Sequence, residues 1–91
     1  MNRYTVVLSS HPAGYCRKSD KKTQDILKKT FLCLEENPYY HPGDRIRRIA
    51  GHDNLYRFRI GSLRIVYEVL EIKKEIVVLL IGPRGDIYKK I

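Results

Sequence analysis

Residues 55–70, LYRFRIGSLRIVYEVL, constrain the fold more than any other part of the chain. Two alternating stretches are joined by Gly61-Ser62, and glycine at the first central position is what a two-residue type II′ hairpin requires. That loop sets the register, with Ile60 opposite Leu63, Phe58 opposite Ile65 and Tyr56 opposite Tyr67. One face of the ribbon is therefore apolar and aromatic and belongs to a core. The other face carries Arg59 opposite Arg64, Arg57 opposite Val66, and Glu68 opposite Leu55. Two arginines directly across an antiparallel pair repel each other, so packing does not account for them. Three arginines converging on one patch read as a phosphate-binding surface.

The composition points the same way. Eighteen Lys and Arg against ten Asp and Glu give a formal net charge of +8 on 91 residues, which favours polyanionic partners such as RNA, although an acidic protein or an anionic surface fits the charge equally well. The length suits one domain, residues 1–91, with a single core. No apolar run approaches the ~18 residues of a membrane span and no signal-peptide pattern is visible, so the expectation is a soluble, cytoplasmic protein. Cys16 and Cys33 show no zinc-ligand spacing with the histidines, and no metal or cofactor is expected. Cys33 reads as a core residue of a helix. His11, His41 and His52 read as exposed loop or cap residues, His52 lying just before the hairpin.

Along the chain, residues 4–8 read as a strand rich in β-branched residues. Pro12 and Gly14 make the next stretch a short helix at best. Asp20 fits the N-cap of a longer helix whose Ile26, Leu27, Phe31, Cys33 and Leu34 recur at helical spacing, and Pro38 ends it. Tyr39 and Tyr40 close that end, a turn-rich loop follows, and residues 45–50 alternate as a strand would. Residues 75–81 are apolar enough for a central strand buried on both faces, and Gly82 to Gly85 form a tight turn. This order predicts an α+β sandwich: an antiparallel sheet with N-terminal helices packed on one face and the arginines on the other. Tyr56 and Tyr67 fall on the core face with their hydroxyls at its rim.

The segment LYRFRIGSLRIVYEV, followed by VVLLIGPRGDIYKK, resembles the second half of the RelE/ParE superfamily of bacterial and archaeal type II toxins. The upstream EENPYY and RIRRIAG fit the same order, and only residues 9–19 depart from it. The resemblance implies a microbial RNase-like, RelE-type sandwich. For the RelE branch it also implies ribosome-dependent, metal-independent cleavage of mRNA, with a cognate acidic RelB-like antitoxin as inhibitor. Carried over position by position, the site residues are Arg57 and Arg59 on the central strands, Arg64 in the hairpin pattern, Arg84 after the last strand and the C-terminal Tyr88. ParE-like members, which poison DNA gyrase and cut nothing, are the alternative, as is a catalytically weak member that mainly binds antitoxin or nucleic acid. Cleavage through the RNA 2′-hydroxyl needs a proton acceptor, a donor for the departing oxygen and positive charge around the crowded phosphate. The arginines supply the charge, and Tyr88 supplies a stacking ring or a phenol proton. RelE-like toxins often carry lysine at the positions of Arg57 and Arg59, and arginine does not deprotonate. Glu68 and His52 are therefore the candidates for the base, with an ion-pair partner and a solvated loop residue as their structural readings.

Overall fold

The computed structural model describes residues 3–83. Strand β1 (Thr5–Leu8) leads into helix α1 (Ser10–Lys18) and helix α2 (Lys21–Glu36), followed by strands β2 (Ile46–Arg48), β3 (Leu55–Ile60), β4 (Leu63–Leu70) and β5 (Glu75–Pro83). The strands form one five-stranded sheet in the order β1-β5-β4-β3-β2. Every pairing is antiparallel except β1 with β5, which is parallel. The expected α+β fold is present, and among the described residues the one parallel pairing joins β1 to β5.

Helix α1 is more regular than Pro12 and Gly14 suggested. Its first intrahelical bond runs from the Ala13 N–H to the Ser9 carbonyl, so Pro12 sits in the first turn, where an amide hydrogen would have no helical partner. Pro12 is also buried. Helix α2 begins as read, with the Asp20 carboxylate accepting the Thr23 N–H at 2.8 Å. Its inner stripe is Leu27, Thr30 and Leu34, with Thr30 donating its hydroxyl to the Ile26 carbonyl. Cys33 is exposed, which corrects its assignment to the core. One residue before Leu34, it is turned about 100° from the inner stripe.

The hairpin register matches the sequence reading at all six pairs, from Leu55↔Glu68 to Ile60↔Leu63. Gly61 has φ +57°, as the first central residue of a type II′ turn must. Phe58, Ile65, Tyr67, Val69, Ile76, Val78 and Ile81 form the core with Leu27, Leu34 and Tyr4. Each such side chain contributes about 1.5–3 kcal/mol when fully buried. Strand β5 lies between β1 and β4 as a central strand should, but Val77 and Leu79 remain half-exposed. Only its helix-facing side is fully buried, which corrects the expectation of burial on both. The register shift between Val66 and Tyr67 leaves Leu79 without an opposite residue, a β-bulge. Gly82 and Pro83 continue β5, pairing with Arg64 and Leu63, and so are not part of a turn.

Candidate nucleic-acid interface

Strand alternation places Arg57, Arg59 and Arg64 on the sheet face turned away from the helices, since their neighbours Phe58 and Ile65 are in the core. Arg59 is paired with Arg64 and Arg64 with Gly82, while Arg57 is paired with Val66 and Val66 with Leu80. Paired Cα atoms lie about 5 Å apart, so the three arginines start from one small patch of the face. The two facing arginines reduce their repulsion by going to different environments. Arg59 is exposed, whereas Arg64 is only 8% exposed. Arg64 Nη1 donates to the Leu63 carbonyl at 3.2 Å and the Gly61 carbonyl at 3.4 Å. Its Nε and Nη2 make no hydrogen bond among the described residues. A buried cation whose Nε and Nη2 have no partner among the described residues suits an incoming anion, because burial strengthens charge-assisted bonds.

Arg57 is half-buried between these two extremes. The candidate bases separate. Glu68 shares the face and is a diagonal neighbour of Arg57 through Val66, but it lies four residues from Arg64 along β4. His52 sits in the turn before β3, where its carbonyl accepts from Arg48 Nε. Leu55 to Ile60 spans about 17 Å at strand rise, so His52 lies at the wrong end of β3 for Arg59 and Arg64. Arg84 and Tyr88 lie outside the described residues.

Arg47 and Asp44 were missed by sequence reasoning. Strand β2 pairs with β3 through Arg47↔Arg57, with Ile46↔Phe58 on the core side, so Arg47 extends the arginine row to the sheet edge. Its Nε and Nη2 donate to Asp44 Oδ2 at 3.2 and 2.5 Å. That hydrogen bond, with the Arg47 charge and smaller contributions from Arg57 and Arg59, holds the Asp44 carboxyl below the usual range. The alternation in RIRR hinted at Arg47, but the turn after β2 is not a tight hairpin loop and does not fix a register.

Tyr4, Tyr39 and Tyr67 are structural. The Tyr67 hydroxyl donates to the buried Pro38 carbonyl at 2.7 Å, and burial pushes its phenol far above the usual range; it lies inside the core, not at a rim. Lys74 donates to the Glu71 carboxylate, as do the Tyr39 and Tyr4 hydroxyls, and together they hold Glu71 down at about 2. Tyr39 thereby ties the end of α2 to the β4–β5 turn. His41, expected to be exposed, is half-buried with its ring packed edge-on against Phe58 at 5.2 Å. His11 is exposed and its ring nitrogen contacts the Ile81 carbonyl at 3.1 Å. No helix among the described residues is long and apolar enough to cross a membrane, and no three His, Cys, Asp or Glu side chains there could hold a metal.

The fold, a five-stranded sheet with two helices, matches solved structures of RelE toxins. A chain of the archaeal RelE–RelB complex from Pyrococcus horikoshii OT3 matches 92% of this chain and 98% of its own, with a TM-score of 0.79 at 24% identity. A free-state mutant of the E. coli toxin RelE matches 100% and 99%, with a TM-score of 0.75 at 21% identity. In sequence, residues 12–88 match the family of ParE toxins of the parDE type II toxin–antitoxin system. The chain belongs to the RelE/ParE superfamily. A Methanocaldococcus jannaschii protein named RelE1 is 36% identical over 63 residues, covering 69% of this chain and 70% of that protein. The protein is thus a RelE-like toxin of a type II toxin–antitoxin system.

Proposed function

We propose that this RelE-like toxin is a ribosome-dependent mRNA endoribonuclease. The observation that carries the reading is the convergence of Arg57, Arg59 and Arg64 on the face opposite the helices, with Arg64 buried and its Nε and Nη2 uncommitted among the described residues. In this reading the 2′-hydroxyl attacks the adjacent phosphorus and the 5′-oxygen leaves. Arg64 and Arg59 hold the phosphate oxygens as negative charge builds up, and Arg57 fixes the next part of the backbone. Arg84 adds charge, and Tyr88 stacks on a base or donates a proton to the leaving oxygen. None of the arginines accepts the 2′-hydroxyl proton and Glu68 stands to one side, so that proton passes to water or to a ribosomal group at the cut site as the 2′-oxygen bonds to phosphorus. Alignment of the attacking and leaving oxygens by the ribosome therefore does much of the work, and free RNA should be cut poorly. The cytoplasmic partners are the ribosome, mRNA and an acidic RelB-like antitoxin whose charge complements the toxin's +8.

A second reading is favoured by the family match to ParE toxins and by arginine where lysine would supply a base: a gyrase inhibitor that cuts nothing. Mapping RNA ends after brief induction separates the two. Cuts inside translated codons are the expected result. Double-strand DNA breaks with intact mRNA would establish the second reading and overturn the first.

A further inference from the structure

Asp44 adopts φ +57° directly after Gly43 at φ +86°. The left-handed region costs a side chain what glycine avoids, although aspartate tolerates it better than most residues. A second glycine would make this turn at lower cost, and such strain is commonly retained where a side chain has a use. The side chain here accepts two bonds from Arg47 through one oxygen, Oδ2. Both partners are open to solvent, with side chains 63% and 62% exposed. An exposed pair of this kind adds little to stability, so holding β2 in place does not account for it. Its position is more telling. Arg47 is the edge member of the row Arg47–Arg57–Val66, and the Asp44 carboxylate lies close enough to Arg57 and Arg59 for both to favour its ionised form.

We infer that Arg47 is a fourth phosphate contact and that Asp44 is a built-in competitor for it, a carboxylate occupying an arginine that an RNA phosphate takes over. This rests on the reading of the arginine face as an RNA site. A carboxylate and a phosphate offer a guanidinium the same pair of acceptor oxygens. Exchange of one for the other leaves Arg47 paired throughout, and the RNA gains the contact only after displacing Asp44. The pair thus weakens loose binding of single-stranded RNA while leaving the buried Arg64 untouched. The occupant is an RNA backbone because the row leads from the sheet edge straight to Arg57 and the patch around Arg64.

The test is fluorescence anisotropy of a labelled single-stranded RNA oligonucleotide, 2′-O-methylated so that it cannot be cut, titrated at several salt concentrations with folding checked by circular dichroism. Arg47→Ala should weaken binding several-fold and lower the slope of log K against log salt by about 0.7, the value for one phosphate contact on a single strand. Arg47→Lys should keep most of that slope. Asp44→Asn should tighten binding several-fold, and this gain should shrink markedly when Arg47→Ala is also present. An Asp44→Asn gain of equal size in both backgrounds would mean that the carboxylate acts only as a diffuse charge, overturning the inference. So would an Arg47→Ala protein with unchanged affinity and salt slope. Loss of binding in Arg59→Ala with no effect at Arg47 would leave the RNA site standing and remove only the competitor. No binding by the unsubstituted protein would overturn the RNA site itself and the competitor with it.

Discussion

Arg64 is where burial and charge meet, and the consequences of changing it are distinct from those of changing its neighbour. Arg64→Ala removes a cation whose value rises as the phosphate gains charge, at a cost of about 2–4 kcal/mol in the cleavage barrier, as for other preorganised donors. Single-turnover cleavage should show the loss in rate rather than in binding. Arg59 is exposed, and Arg59→Lys should retain or raise activity because lysine restores a group able to lose a proton, whereas Arg59→Ala should be weak. A rate in Arg59→Lys as low as in Arg59→Ala would show that the guanidinium fork, and not a missing base, is what this position supplies. At the far end of the sheet, Glu71 sits at about 2 against an ordinary 4.5. A depressed carboxyl contributes stability that is complete above its unfolded value and lost as pH falls toward its folded one. Thermal melts between pH 4.5 and 2 should therefore fall more steeply for the natural protein than for Glu71→Gln, and parallel curves would show the cluster of Tyr4, Tyr39 and Lys74 to be energetically idle.

Among the elements, the β3–β4 hairpin carries most of the information. Gly61-Ser62 fixed every pair in advance because a two-residue loop admits one register. No Cβ obstacle lies within 4 Å of Gly61, so Gly61→Ala tests backbone conformation alone and should cost about 1–2 kcal/mol. For a domain of this size each kcal/mol lowers Tm by roughly 4–8 °C; an unchanged Tm would show that the turn does not hold the register. Helix α2 was legible from its cap, and Asp20→Ala should lower Tm through the lost bond to Thr23. Long-range relations left no local signal. The parallel β1–β5 pairing, the Arg47↔Arg57 alignment and the extension of β5 through Pro83 depend on which strands meet. Cys33 was misplaced because apolar spacing alone did not distinguish the flank of α2 from its inner stripe, which Thr30 occupies as a polar residue.

For the whole molecule, the helices and the core occupy one face of the sheet and leave the other to the arginines. The charge pattern pointed to that face, and the chain as a whole matches the ParE toxin family over residues 12–88. The proton acceptor was not legible, because sequence alternation assigns a residue to a face without saying which end of a strand it occupies; the structure then separates His52 from the arginines and leaves Glu68 at their margin. Positioning by a partner fills that gap in the proposed reaction. The most direct measurement is cleavage of a defined mRNA by purified protein, with and without ribosomes holding a codon in the A site, for the natural protein and for the Arg57→Ala, Arg59→Ala, Arg64→Ala combination with its fold confirmed. The account predicts cuts within the A-site codon, at least a hundredfold faster with ribosomes than without, on the order of what alignment supplies, and abolished in the triple substitution. Equal rates with and without ribosomes, or cleavage undiminished when the three arginines are gone, would contradict it.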